Sequence, residues 1–360
     1  RQMCIRDRSF ISATRDMIPL AMQGCRRAGV KLVLTSSDSP ETASSMGKKI
    51  GLSDKGMISG DTIAESSLTG EKPNYTDAEI FCRVSATQRI TIIDELRAAG
   101  ETVAVVGYSD NDYEMVTHAD LGITSLENTT GCVYEASGLI VRDDNFASVV
   151  EMIKEARQLH RNIKRCIFAL LSSLVMFSLT AIADMATGSN AVTPMLAALL
   201  TAVVIPLCCT GFRNVTADIK SDMTASGFIS RGKGDRMFFV RSLACGTICG
   251  VISAIFVIIM SGLLPTAQVS SALLTLLTVM TGTMAVESVD KRPGSFRNKT
   301  IPKYLLNVVI ATSLTAILLP YIPFVNLLFG FAMPHPLASI TAVIAGVAPA
   351  IAIEIKKHLN

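Results

Sequence analysis

The sequence predicts two joined parts: a front third folded as an α/β unit around a parallel sheet, and a rear part of about six membrane-spanning α-helices. Three observations predict this. With 49% hydrophobic residues and a mean hydropathy of +0.44 over 360 residues, the chain is too apolar for a soluble protein that keeps a charged skin. The apolar residues are unevenly spread, because charges are frequent up to Arg165 and then fall into short clusters between long uncharged runs. In the front third, β-branched apolar runs alternate with helical patterns, the signature of strands linked by crossover helices.

The opening stretch Arg1–Arg8 fits nothing that follows and is read as extraneous (1–8). The next residues begin in mid-pattern, so the chain is expected to be the C-terminal part of a longer protein. Residues 9–150 are expected to form the α/β unit, 151–166 a basic stalk helix, and 167–360 the membrane domain. Val30–Ser36 reads as a buried strand and Pro40–Ile50 as a helix opened by Pro at its first position. Glu79–Val84 reads as a strand, and Thr87–Ala99 as an amphipathic helix ended by Gly100. Thr102–Gly107, Asp120–Thr124 and Gly138–Val141 continue the strand series.

Six uncharged stretches are long enough to cross about 30 Å of hydrocarbon as helices. They are Ile167–Ala183, Val192–Phe212, Ser242–Leu263, Val269–Ala285, Tyr304–Val325 and Pro336–Ile353. Arg157, Arg161, Lys164 and Arg165 precede the first. Arg213, Lys220, Arg231, Lys233, Arg236 and Arg241 lie between the second and third, and Lys291, Arg292, Arg297, Lys299 and Lys303 between the fourth and fifth. The alternate loops hold no Lys or Arg, so the positive-inside rule puts the basic segments and both termini in the cytosol.

Nine cysteines do not form a disulfide framework in such a chain; they read as reduced, space-filling thiols. Cys245 and Cys249 share a helix face but have no His or Met pattern around them to complete a soft-metal site. A net charge of +3, with the basic residues placed where topology needs them, excludes nucleic acid as an expected partner and leaves membrane lipid.

In parallel sheets, ligands sit beyond the carboxyl ends of the strands. Two strand ends carry polar clusters: Ser36-Ser37-Asp38-Ser39 after the first and Gly107-Tyr108-Ser109-Asp110-Asn111-Asp112 after the third. Hydroxyls and backbone N–H groups at a helix start cradle phosphate, carboxylates at a neighbouring strand end hold Mg²⁺, and Arg89 would neutralise a transferring phosphoryl group. Taken singly, each cluster is equally an ordinary N-cap or turn. Their order and spacing give the functional reading.

Gly29–Leu34 through Ser36-Ser37-Asp38-Ser39-Pro40-Glu41-Thr42-Ala43, Phe81–Ser85, Gly107–Asp112, and Asp144-Asn145-Phe146-Ala147-Ser148 leading to Arg161–Lys164 together resemble the C-terminal half of a P-type cation-transporting ATPase. The resemblance implies a partial haloacid-dehalogenase-type phosphorylation domain followed by the last six membrane helices. It further implies, for the full-length parent, ATP and Mg²⁺ as cofactors, an aspartyl-phosphate intermediate and ion transport. The implied location is the plasma membrane, and the implied partner is the missing N-terminal part, with its actuator domain, nucleotide-binding domain and first helices. Carried over by position, Arg89 and Asp112 are the catalytic residues, Ser36, Ser37 and Asp38 bind phosphate, and Asp112 with Asn111 is left to hold the metal. The family's Asp-Lys-Thr-Gly-Thr motif is absent, so this chain alone is expected to be inactive.

The sequence departs from the family where the chemistry is done. Tyr108 stands where a Mg²⁺-ligating Asp is expected, and a neutral phenol does not replace a carboxylate on a hard cation. Arg89 stands for a lysine, keeping the charge in a planar fork. The positions of ion-coordinating groups fall on Leu174, Phe177, Leu199 and Val203, and no acidic residue lies inside an expected span, so no transported-ion site is assigned. Ser172, Ser173, Thr180 and Thr201 remain as hydroxyls on these spans, where packing is their usual role. Glu65–Glu71 looks like the family's dephosphorylation loop but stands in the wrong domain, and is expected to be a solvated loop. A degenerate pseudo-pump with a regulatory or scaffolding role is the alternative. A tethered phosphatase would need its own nucleophile, for which Ser9–Gly29 offers only Asp16.

Overall fold

The computed structural model describes residues 18–71, 73–127, 129–142, 146–214, 233–289 and 303–359. Arg1–Arg8, Asp16, Asp144, Asn145 and the basic segments 215–232 and 290–302 lie outside the described residues. The described chain forms two compact units, one up to Ala156 and one from Arg157 onward.

The first unit alternates helix and strand: α1 Ile18–Arg27, β1 Leu34–Thr35, α2 Pro40–Lys49, β2 Ile58–Ser59, α3 Gly60–Thr69, β3 Ile80–Cys82 and α4 Ala86–Ala98. It continues with β4 Ala104–Val106, α5 Tyr113–His118, β5 Leu121–Ser125, α6 Gly131–Ala136, β6 Leu139–Val141 and the start of α7, Phe146–Thr187. All strand pairings are parallel, as the crossover pattern requires, but the strands form two sheets of three, ordered β1-β3-β2 and β4-β5-β6. The central strand β3 is buried on both faces through Ile80, Phe81 and Cys82, which is why its sequence is continuously apolar.

Helix starts follow local chemistry. Pro40 opens α2, with Glu41 in its first turn and Lys48 and Lys49 in its last, matching the helix dipole. Ser85 and Gln88 form a reciprocal capping box at the start of α4. This helix serves both sheets, packing Ile92 and Leu96 into the core around Phe81 and Ile93 into the core around Val105 and Val116.

Residues Glu65–Thr69, expected in a solvated loop, belong instead to α3. Ser59 caps that helix by accepting from the Thr62 N–H, and Gly70 closes it in the left-handed conformation. The two-residue strand β2 before it is too short to show a periodicity.

In the second unit, α7 leads to α8 Pro194–Leu199, a π-helical segment Leu200–Val204, and α9 Ile205–Thr210. These are followed by α10 Lys233–Ser261, α11 Thr266–Glu287, α12 Lys303–Leu318, α13 Pro323–Phe329 and α14 Pro336–Leu359. Among the described residues five helices are long and apolar enough to cross a membrane: Phe146–Thr187, Pro194–Arg213, Phe238–Ser261, Thr266–Glu287 and Lys303–Tyr321. A shorter apolar helix covers Pro336–Ile351. The chain is an integral membrane protein, with a helical bundle behind a partial haloacid-dehalogenase-like α/β unit. The fifth expected span stops earlier than Val325, because Pro320 and Pro323 break the run and start α13 as a separate helix.

The bundle is organised around α11, whose apolar window is 94% buried and which packs against α10, α12 and α14. Its hydroxyls reach neighbouring backbone: Ser270 donates to the Ala191 carbonyl and Ser271 to that of Ala332, both at 2.7 Å. Helices α7 and α10 approach closely at Gly246, where a Cβ would lie 2.7 Å from the Ser172 carbonyl oxygen. At one end of these helices Arg241 pairs with the buried Glu287 at 3.2 Å and lies over the Phe168 ring.

Candidate functional site

The polar cluster after β4 is a tight, carboxylate-centred turn. Gly107 leaves the strand where a Cβ would stand 2.7 Å from Val116 Cγ2 and 2.9 Å from Asp112 Cβ, so a bare backbone is what lets the turn fold back. Asp110–Asp112 then forms one 3₁₀ turn. Asp112 Oδ2 accepts from the Tyr108 and Ser109 N–H groups, each at 3.2 Å, and from the Ser109 hydroxyl at 2.9 Å. Its Oδ1 accepts from Arg89 Nη1 at 3.0 Å, with the two side chains only 17% and 18% exposed. The carboxyl end of β5 props the turn from behind, where Thr124 donates its hydroxyl to the Gly107 carbonyl at 2.7 Å.

Burial is the largest single influence on Asp112 and opposes its ionisation. The donors at Tyr108 and Ser109, with the Arg89 charge, together outweigh it and hold the carboxyl below its ordinary value. Arg89 projects from the first turn of α4, and its Nε is buried without a hydrogen-bond partner among the described residues.

The cluster after β1 is more open. Ser36 donates its hydroxyl to Asp38 Oδ2 at 2.9 Å and accepts from the Asp38 N–H at 3.1 Å, while Ser37 and Asp38 are exposed. The turn is tied to the end of β3, because the Arg83 N–H donates to the Asp38 carbonyl and the Val84 N–H to that of Ser36. Glu41, in the first turn of α2, is held below its ordinary value by its own backbone N–H, the Ser39 hydroxyl and the Arg83 charge. The structure thus brings Arg89 and Asp112 together, and Ser36 with Asp38. Among the described residues no hydrogen bond or ion pair joins the two clusters.

For a hard divalent cation the turn by itself offers few oxygens: Asp112 Oδ2 accepts from three donors and Oδ1 from Arg89, Tyr108 offers a phenol, Asn111 is exposed, and among the described residues no group of three metal-ligating side chains occurs. What the turn does is fix the Arg89 guanidinium at the strand end through the Asp112 carboxylate.

In the bundle, Leu174, Phe177, Leu199 and Val203 are apolar positions on α7 and on the rod of α8 and α9, with Leu174 61% and Val203 54% exposed. The buried acids lie at helix ends beyond the expected spans. Asp184 is capped by Ser189 and by the N–H groups of Ala191 and Val192, and Glu287 pairs with Arg241. Sequence reasoning passed over the π-helical segment Leu200–Val204. Pro206, which lacks the N–H that would reach the Ala202 carbonyl, was its one available signal.

No family model matches the chain. It is 33% identical over 168 residues to the calcium-transporting ATPase of Bacillus subtilis (strain 168), a match covering 46% of this chain and 19% of that protein. It is 30% identical over 172 residues to calcium-transporting ATPase 1 of Bacillus cereus (strain ATCC 10987 / NRS 248), covering 45% and 19%. It is 28% identical over 194 residues to the sodium/potassium-transporting ATPase subunit alpha-2 of Homo sapiens, covering 46% and 19%. The matches thus span about a fifth of the length of these relatives. Over its matched stretch, about 45% of its length, the chain is similar to the P-type cation-transporting ATPases.

Proposed function

We propose that the chain is the C-terminal part of a divergent P-type ATPase, in which an α/β unit handles a phosphoryl group and the helical bundle contributes to ion transport driven by ATP hydrolysis. The observation that carries this is the union, in one chain, of anion-suited strand ends with an apolar helical bundle, matched to ATPases named for calcium and for sodium and potassium. In the proposed role, Ser36, Ser37 and Asp38 and the start of α2 orient the phosphoryl group. Arg89, aimed by Asp112, offsets its charge. A further strand would be needed to bring the phosphorylated aspartate between these clusters, and the outer edges of β1 and β4 are without a strand partner among the described residues. ATP and Mg²⁺ belong to the full-length parent, as do the actuator and nucleotide-binding domains. Both termini are placed in the cytosol and the protein in the plasma membrane.

The test is the full-length parent in sealed vesicles. Vanadate-sensitive ATPase activity with a hydroxylamine-labile phosphoenzyme is expected, and failure to form that phosphoenzyme removes the enzymatic part of the proposal. Reagents confined to one side should reach the turn after Asp184 and the segment around Lys291 from opposite faces.

One set of observations favours a second reading, a pump-derived protein with a regulatory or scaffolding role and no ATPase activity. Tyr108 stands where a carboxylate is expected, Asp112 is already engaged by Arg89 and the turn's own donors, and the expected ion positions are apolar. Tyr108→Asp in the parent separates the two: a gain of Mg²⁺-dependent phosphorylation supports the decayed site, and a loss supports a working variant.

A further inference from the structure

Helix α7 carries an exposed apolar stripe that does not stop where its uncharged run does. Leu159, Ile163, Ile167, Leu170 and Leu174 follow one another at intervals of three or four residues, so they share one helix face, and all are exposed. Ile167, Leu170 and Leu174 belong to the membrane span, where hydrocarbon is the solvent of an exposed apolar side chain. Ile163 and Leu159, 49% and 63% exposed, continue the line beyond it. At 1.5 Å per residue they stand about 6 and 12 Å past Ile167. The headgroup layer on each side of a bilayer is about 5–8 Å deep, so Ile163 lies within it and Leu159 at its outer edge.

Cations run alongside this stripe on one flank. His160 and Lys164 each follow a stripe residue directly, with Arg157 and Arg161 one row further round the helix. Arg165 lies on the far face and donates to Asn162 at 2.9 Å. Glu155 is a turn beyond Leu159, away from the span. Arg157, Arg161 and Lys164 take part in polar or electrostatic contacts, and with five donors on each Arg and three on Lys they have more donors than one acceptor uses. Their long stems let the charged ends reach past the helix surface toward a headgroup. A zwitterionic headgroup brings these cations as much positive charge as negative. An anionic one brings a net negative charge, and a Lys/Arg cluster directly beside a membrane span is the pattern that attracts such lipids.

We propose that the segment 157–170 of α7 holds an anionic phospholipid of the adjoining leaflet. Its acyl chains lie along Ile163, Ile167 and Leu170, and its phosphate sits at Lys164, with Arg157 and Arg161 adding charge. The proposal rests on the chain being a membrane protein and stands or falls separately from the ATPase reading.

The test places the chain in phosphatidylcholine nanodiscs that contain a minor share of phosphatidylglycerol, with a photoactivatable diazirine on the acyl chain of one lipid or the other, followed by peptide mapping. Per molecule, phosphatidylglycerol should label residues 159–170 at least about five-fold more than phosphatidylcholine, the value of one cation near the surface. Exposed residues of α10 such as Ile248 and Ile255 should show no preference. In about 1 M NaCl, where charges are screened over about 3 Å, the preference should fall toward parity. Lys164→Gln should cut it about five-fold, and Lys164→Arg should keep it. Lys303→Gln, which removes an exposed cation at the start of α12, should leave it unchanged. Ile163→Gln should lower labelling of this stretch by both lipids. Equal labelling by the two lipids overturns the proposal, as does an equal loss in Lys164→Gln and Lys303→Gln, which would mean diffuse attraction. So does loss of the preference on adding free glycerol phosphate, which would make this a site for a soluble anion, or no label on 159–170 because another segment covers the stripe.

Discussion

Removing either member of the Arg89–Asp112 pair should loosen the turn after β4, and the two variants should differ in a defined way. Arg89→Met keeps the stem and deletes one charge-assisted hydrogen bond, while Asp112 retains its three donors from Tyr108 and Ser109. The cost is about 2 kcal/mol. Asp112→Asn keeps one oxygen for those three donors but turns an amide N–H toward Arg89 Nη1. It also leaves a guanidinium whose Nε already lacks a partner. Orphaning a buried charge costs about 3–5 kcal/mol, and because both side chains are 17–18% exposed the expectation falls toward about 3. The double variant has no orphaned charge, so it should recover about 2 kcal/mol relative to the sum of the singles. Hydrogen exchange of amides 104–125 in the whole chain reads this directly: 2 kcal/mol is about a 30-fold faster local opening. Single-variant rates within three-fold of the native chain, or singles that add without coupling, would refute the account of the turn.

Two further outcomes follow from the same geometry. The folded-state pKa of Asp112 lies below its ordinary value, so its contribution is complete above the unfolded pKa of about 4 and is lost as pH falls through the lower folded value. Protection of amides 104–125, corrected for intrinsic rates, should be flat between about pH 7 and 5 and drop below about pH 4, and Asp112→Asn should flatten the drop. In the bundle, Gly246→Ala puts a methyl 2.7 Å from the Ser172 carbonyl oxygen and 2.9 Å from Val175 Cβ. It should destabilise the bundle by about 1–3 kcal/mol, seen as a lower thermal midpoint in detergent, and an unchanged midpoint would mean that α7 and α10 are not in this contact.

The order of strands and helices was legible because β3 is an unbroken apolar run and the membrane helices are long uncharged ones. The lengths of the helices were less so. Asp184 and Glu287 each sit within a helix although hydropathy ended the spans before them, because each finds buried partners that only the folded bundle supplies. At the site, Arg89 and Asp112 were picked out as separate residues, but nothing in their 23-residue separation shows that they pair. The division into two sheets was likewise hidden, since pairing across a sheet leaves no mark in any one strand's pattern.

The enclosure of α11 has a consequence for how the molecule is made. Two of the helices that wall it, α12 and α14, come after it in the chain. While synthesis proceeds, its row of Ser and Thr side chains therefore has no neighbours on those flanks. Ser271 in particular waits for the backbone at Ala332, sixty-one residues downstream, to be threaded into place. A ribosome that stopped short of α14 would release a bundle in which α11 lacks one of its walls and Ser271 its partner at Ala332.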